Sequence, residues 1–251
     1  SPFTLGISHA AAFGAALALL LGVSPLGLYT LPLFAFAGAV ATLLAVLALA
    51  GGGSTGGANT YSANNLILSG IIVAAILSAG ISFLKFVADE QVGVIIFWLM
   101  GSFAAKTWVE VGLTALFVSL GVAVAIFYGR DLNLLALGTR MAASLGVDVR
   151  RTPMVLLVTA SLVAAACVSV AGIIGFVGLL VPHLVRTLTG PDNRRLLPLS
   201  LLTGALLLLL ADTLTRAVLP REIPIGVLTA LLGGPFFCYL FRRRQRRGGG
   251  A

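Results

Sequence analysis

AGIIGFVGLLVPHLVRTLTGPDNRR, residues 171–195, runs from an apolar stretch with glycines at 172, 175 and 178, through Pro182 and His183, into an arginine-bearing loop. Glycines three apart let membrane helices approach closely, and Gly172-Ile-Ile-Gly175 also reads as a tight outer turn between two spans. Pro182 removes one backbone hydrogen bond and can kink a helix. His183 has no acidic residue or second histidine at ligand spacing, so it reads as a boundary residue bonded to backbone rather than a proton relay or metal ligand. The stretch joins membrane packing to a charged surface.

Composition extends that reading to the whole chain. Of 251 residues, 59% are hydrophobic and only 10% charged, and the mean hydropathy is +1.10. A soluble domain carries about 25% charged residues. The fold class is therefore all-α: one polytopic transmembrane bundle over residues 1–251. A span needs about 20 apolar residues. Apolar runs set against their breakers give eight spans: Phe3–Leu21, Pro32–Ala50, Leu66–Phe86, Trp108–Phe127, Pro153–Ala171, Ile173–Leu188, Leu196–Val218 and Pro224–Phe241.

Eight spans put both ends on one side, and the basic residues say which. Arg130, Arg140, Arg150, Arg151, Arg186, Arg194, Arg195, Arg242, Arg243, Arg244, Arg246 and Arg247 fall on the side of the ends; Lys85, Lys106, Arg216 and Arg221 fall on the other. By the positive-inside rule the ends are cytoplasmic. The net charge of +8 thus reflects membrane orientation, and Arg242–Arg247 is not read as a nucleic-acid arm. The opening residues SPFTLGISHAAAFGA have no basic n-region and do not read as a signal peptide. A chain starting with Ser-Pro at the foot of a helix reads as truncated. Cys167 and Cys238 lie inside apolar runs without a CxxC, so they read as small buried hydrophobes; no disulfide or metal site is expected.

Four non-membrane segments remain, the first of them being the far end of 171–195. The second, GGGSTGGANTYSANN at 51–65, lacks the Gly-Lys-Ser/Thr of a phosphate loop and reads as a hinge or gate beside a pore, or a plain connector. The third, Lys85 to Lys106, holds Asp89 and Glu90 and then the apolar run Val92–Met100 with Trp98 and Trp108, which predicts a re-entrant or interfacial helix on the outer face. In the fourth, GRDLNLLALGTRMAASLGVDVRRT at 129–152, Leu134, Leu135, Leu137, Met141 and Leu145 recur at helical spacing with Thr139, Arg140 and Ser144 between them. That predicts one short amphipathic helix ended by a C-cap at Gly146, lying on the membrane or in a partner's groove. Asp212, costly within LLLLLADTLTR, stands one turn from Arg216, and the pair reads as a structural ion pair.

The matching stretches PFTLGISHAAAFGA, LILSG at 66–70, FWLMGS at 97–102, LNLLALGTRMAASLGV at 132–147, AGIIGFVGLLVPHLVRTLTGPDNRRLLPLS at 171–200, GALLLLLADTLTR at 204–216 and IPIGVLTALLGGPFFCYL at 223–240 follow one another in family order. On them the chain resembles FecCD-type permease subunits of type II ABC importers, which carry iron–siderophore complexes, haem and cobalamin. The resemblance implies a ten-helix fold of which this chain starts after the first two helices and an Asn-Pro-Leu. It implies a homodimer with the pathway between two copies, two cytoplasmic ATPase subunits that use ATP and Mg, a soluble binding protein on the outer face, and a place in the cytoplasmic (inner) membrane of a bacterium or archaeon. The chain itself is then no enzyme, and is expected to bind no cofactor, metal or nucleic acid.

Residue by residue, the resemblance assigns coupling to the ATPase to Leu135, Ala136, Leu137, Gly138, Thr139, Arg140, Ala143, Leu145 and Gly146. It assigns a cytoplasmic gate to Ser54, Thr55, Gly56 and Asn59, and an outer gate to the helix after Lys85. Alternatives are an ion-coupled secondary transporter titrating Asp212 and His183, an ABC permease for a metal oxyanion such as molybdate, and a membrane hydrolase, for which His9 and His183 supply no convincing catalytic set.

Overall fold

The computed structural model describes residues 2–20, 30–51, 63–88, 92–218 and 223–248. These form eleven helices: α1 (Pro2–Leu20), α2 (Thr30–Gly51), α3 (Ala63–Val87), α4 (Val92–Leu99), α5 (Trp108–Phe127), α6 (Gly129–Leu135), α7 (Thr139–Ser144), α8 (Arg151–Ala171), α9 (Val177–Thr189), α10 (Asn193–Val218) and α11 (Ile225–Gly248). Among the described residues there is no strand. Five helices, α2, α3, α5, α8 and α10, are long and apolar enough to cross a membrane, and α1, α9 and α11 contain shorter apolar segments. The chain is a multi-pass membrane bundle.

Small residues build its densest part. Ala11, Ala15 and Ala35 are fully buried where α1 crosses α2, and a Cβ on Gly14 would strike the Phe34 carbonyl, one on Gly38 the Ala10 carbonyl. Backbones this close gain dispersion contacts that a lipid chain could not supply, which drives association where no hydrophobic effect exists. Ile7, Leu43, Val46, Val73 and Ala165 extend this core across α1, α2, α3 and α8. A second cluster, Ala16, Leu84, Ala88 and Ile95, holds α4 against the ends of α1 and α3. A third, Val181, Val185 and Leu196, joins α9 to α10.

At one end of the bundle three backbone segments meet. The Ser102 amide donates to the Ala171 carbonyl at 2.9 Å, and a Cβ at Gly172 would strike the Trp98 carbonyl, one at Gly226 the Met100 carbonyl. Glycine is required at these places because backbone takes the room of a side chain. Thr107 and Glu110 form a capping box at the start of α5, with the Thr107 amide donating to Glu110 Oε2 at 2.7 Å. Trp108 beside it is 89% exposed, as an interfacial ring should be. Trp98, expected at the interface too, is partly buried against the main core.

Three sequence expectations are corrected. Cys238, read as a small buried hydrophobe, is exposed on α11. The span at Ile173–Leu188 begins as helix only at Val177: residues 172–176 leave the helix, with positive φ at Gly172 and Phe176. They do so because they pack against 98–101 and the start of α11, with Phe176 lying over Gly233. The single amphipathic helix expected up to Gly146 is two helices, α6 and α7, broken at Gly138.

Candidate functional site

The opposite end of the bundle gathers α6, α7 and the connection between α9 and α10. Tyr128 turns the chain out of α5 directly into α6, and α6 is held by a polar lock. Asn133 Nδ2 donates to Asp192 Oδ1 at 2.6 Å; the Asn193 backbone amide and Nδ2 each donate to Asn133 Oδ1 at 2.8 Å. Asp192 Oδ1 also accepts the Arg194 amide at 3.0 Å, satisfying an orphan donor in the first turn of α10. The Asn133 amide, and after it the Arg194 backbone N–H, hold the Asp192 carboxyl below the usual carboxylate range.

Gly138 ends the turn after α6 with φ 107° and ψ 150°, a region essentially restricted to glycine. The chain then enters α7. Gly146, with φ 87°, closes α7 in a Schellman motif: its amide donates to the Ala143 carbonyl at 3.1 Å, and the Val147 amide to the Ala142 carbonyl at 3.0 Å. Asp148 follows, accepting the amides of Arg151 at 2.9 Å and Arg150 at 3.0 Å at the start of α8. Those two backbone donors, Arg151 first, hold its carboxyl low. The 3.5 Å contact of Asp148 with the Arg151 guanidinium is exposed and contributes little.

One side of this segment is anchored by buried Ala142 and Val147. The other presents Leu137, Met141 and Leu145, 67%, 54% and 52% exposed. Met141 and Leu145, four residues apart, share one side of α7 and its C-cap, and Leu137 is exposed just before the break at Gly138. Beside them lies an open concavity of about 580 Å3 lined by Leu137, Gly138, Thr139, Arg140, Met141 and Ser144. An apolar patch with polar edges on a short helix beyond the membrane spans has the make-up of a segment that lies on a membrane surface or in a protein groove.

The structure brings Leu135, Ala136, Leu137, Gly138, Thr139, Arg140, Ala143, Leu145 and Gly146 into this one projection. Ser54, Thr55, Gly56 and Asn59 lie outside the described residues. At the other end of the bundle Arg216 Nε donates to Asp212 Oδ2 at 2.9 Å. His183 is exposed on α9, and among the described residues no group of three or more His, Cys, Asp or Glu could hold a metal. Sequence reasoning missed Asn133, Asp192 and Asn193. The turn-forming Gly190-Pro191-Asp192-Asn193 was the only signal for them.

The sequence profile of the FecCD transport family matches residues 1–243. The cobalamin import system permease protein BtuC of Halobacterium salinarum is 44% identical over 252 residues, covering 98% of this chain and 64% of its own length. The Fe(3+) dicitrate transport system permease protein FecD of Escherichia coli is 39% identical over 246 residues, covering 98% of this chain and 74% of its own length. A solved ABC transporter in an inward-facing conformation, assigned provisionally to the metal-chelate type, superposes with a TM-score of 0.82 at 33% identity, over 97% of this chain and 76% of that one.

Proposed function

This chain belongs to the FecCD transport family, and we propose on that footing that it is the permease subunit of an ATP-driven importer for an iron chelate or cobalamin. Two copies enclose the pathway, a soluble binding protein delivers substrate from outside, and two ATPase subunits sit beneath, hydrolysing ATP that this chain does not itself bind. The membrane is the cytoplasmic membrane of a bacterium or archaeon, with α7 and both ends of this segment on the cytoplasmic side. The seven arginines Arg130, Arg140, Arg150, Arg151, Arg186, Arg194 and Arg195 all lie at the end bearing α7, which supports that orientation.

The observation that carries the reading is the exposed apolar patch Leu137, Met141 and Leu145. Seated in a groove of the ATPase, the patch is carried along when ATP draws the ATPase subunits together. The displacement passes through α6 to the α9–α10 connection by way of Asn133 and Asp192. ATP thereby biases the bundle between outward-open and inward-open states by binding one of them better. The gate residues Ser54, Thr55, Gly56 and Asn59 respond to that bias, and the Asp212–Arg216 pair keeps a carboxylate neutralised at the outer end.

The test is Leu137→Glu, and separately Gly138→Glu, in the transporter reconstituted with its ATPase and binding protein. A charge forced into an apolar docking groove should lower uptake by about tenfold or more. ATP hydrolysis continues and the permease dimer stays intact. Unaltered uptake sinks the coupling role. The same preparation, offered a ferric siderophore, haem, cobalamin and molybdate in turn, identifies the substrate; uptake of molybdate alone overturns the chelate reading.

A further inference from the structure

Four exposed arginines gather where α5 and α9 end and α10 begins: Arg130 in the first turn of α6, Arg186 in the last turn of α9, and Arg194 and Arg195 in the first turn of α10. The chain's own contacts bring them together. Asn133 ties α6 to residues 192 and 193, and Arg194 lays its stem over Gly129, where an added Cβ would stand 3.4 Å from Arg194 Cγ. The Gly190 amide donates to the Arg186 carbonyl at 3.0 Å, which puts Arg186 one turn before the connection to α10. None of the four has a carboxylate partner among the described residues, whose ion pairs are Arg151–Asp148 and Arg216–Asp212. Two acids lie close by. Asp192 is taken up by the Asn133 amide and the Arg194 N–H, and Asp131 forms no ion pair; four arginines against two carboxylates leave the patch cationic.

Apolar side chains stand out among these charges. Leu188, between Arg186 and Arg194 in the chain, is 85% exposed, and Phe127, at the end of α5, is 79% exposed with the Tyr128 ring edge-on to it at 5.2 Å. Aromatic rings at the foot of a span mark the boundary between hydrocarbon and water. Leu188 gains nothing from water there and gains contact from acyl chains. A guanidinium grips a phosphate through two parallel hydrogen bonds, and basic pockets where membrane helices end hold anionic headgroups. Free phosphate satisfies the arginines but leaves Leu188 in water; a phospholipid satisfies both.

We propose that this patch binds the phosphate of an anionic phospholipid, with an acyl chain lying against Leu188. Arg186, Arg194 and Arg195 hold the phosphate from the α9–α10 side and Arg130 from α6. The lipid thus bridges the same two elements that the Asn133–Asp192 contact joins, and it neutralises a cluster of like charges that would otherwise push them apart.

The experiment reads binding rather than transport, on the purified full-length permease assembled with its ATPase, so its outcome does not depend on what the permease carries. In native mass spectrometry phosphatidylglycerol should stay bound at collision energies that strip phosphatidylcholine, and an excess of inorganic phosphate should not displace it. Arg186→Gln, Arg194→Gln and Arg195→Gln together should cut the bound phosphatidylglycerol by about tenfold or more, whereas Arg186→Lys, Arg194→Lys and Arg195→Lys together keep it within about threefold. Equal retention of the two lipids, displacement by phosphate, or a glutamine variant that binds like wild type overturns the proposal. So does a glutamine variant that sheds its ATPase while keeping its lipid, which would make the patch a protein-docking surface. Should the glutamine variant fail to fold, a phosphatidylglycerol with a photoreactive diazirine on its acyl chain decides on the wild-type protein: crosslinks should map to residues 187–194, and crosslinks found only elsewhere overturn the site.

Discussion

Asp192 precedes two cationic neighbours, Arg194 and Arg195, yet is held low mainly by neutral donors, first the Asn133 side-chain amide and then the Arg194 backbone N–H. A carboxyl whose folded pKa is depressed contributes stability that is fully present above its unfolded value, about 3.9, and is lost as pH falls through the lower folded value. The lock between α6 and α10 should therefore be insensitive to pH between about 5 and 8. Asp192→Ala should lower the melting temperature at neutral pH, with the gap to wild type closing below about pH 4. Thermal unfolding in detergent across that range checks it, and a gap that stays constant under acid would show that the charge is not what matters. Asn133→Ala should mimic the neutral-pH effect and lower uptake per ATP hydrolysed. These residues were illegible in the sequence because Asn133 and Asp192 stand 59 positions apart. Asp212 and Arg216, one turn apart, could be paired from spacing alone.

Among the elements, the long spans were readable because apolar runs of about 20 residues leave a chain no alternative in lipid. Where they start and stop was less so. Residues 173–176 are as apolar as the helix they precede, and only their contacts with 98–101 and the start of α11 pull them out of it. The Leu137–Leu145 spacing likewise suggested one continuous helix, since a hydrophobic period cannot register the positive φ of Gly138. Gly138→Ala isolates that feature: a Cβ there meets nothing within 4 Å, so the whole cost is backbone, about 1–3 kcal/mol. It should turn α7 away from its orientation and reduce transport more than ATP hydrolysis, read as the ratio of substrate moved to ATP consumed. The Thr107–Glu110 capping box follows the T-x-x-E signature and was visible in principle. Thr107→Ala should cost about 1 kcal/mol through the start of α5, seen as a lower melting temperature.

For the molecule as a whole, one end is stiffened by glycine-mediated backbone contacts among 98–102, 171–174 and the start of α11, and the other end carries a projecting apolar patch. That asymmetry suits the proposed docking of an ATPase subunit on the projecting end. Near the stiffened end Asp212, the carboxylate within the apolar run of α10, has Arg216 at 2.9 Å. The most direct measurement is substrate uptake by vesicles holding the permease, its ATPase and its binding protein, with and without internal ATP and a protonophore. ATP-driven import predicts uptake that needs ATP and the ATPase and is indifferent to the protonophore. Uptake by vesicles holding the permease alone, driven by a proton gradient and stopped by the protonophore, would contradict it.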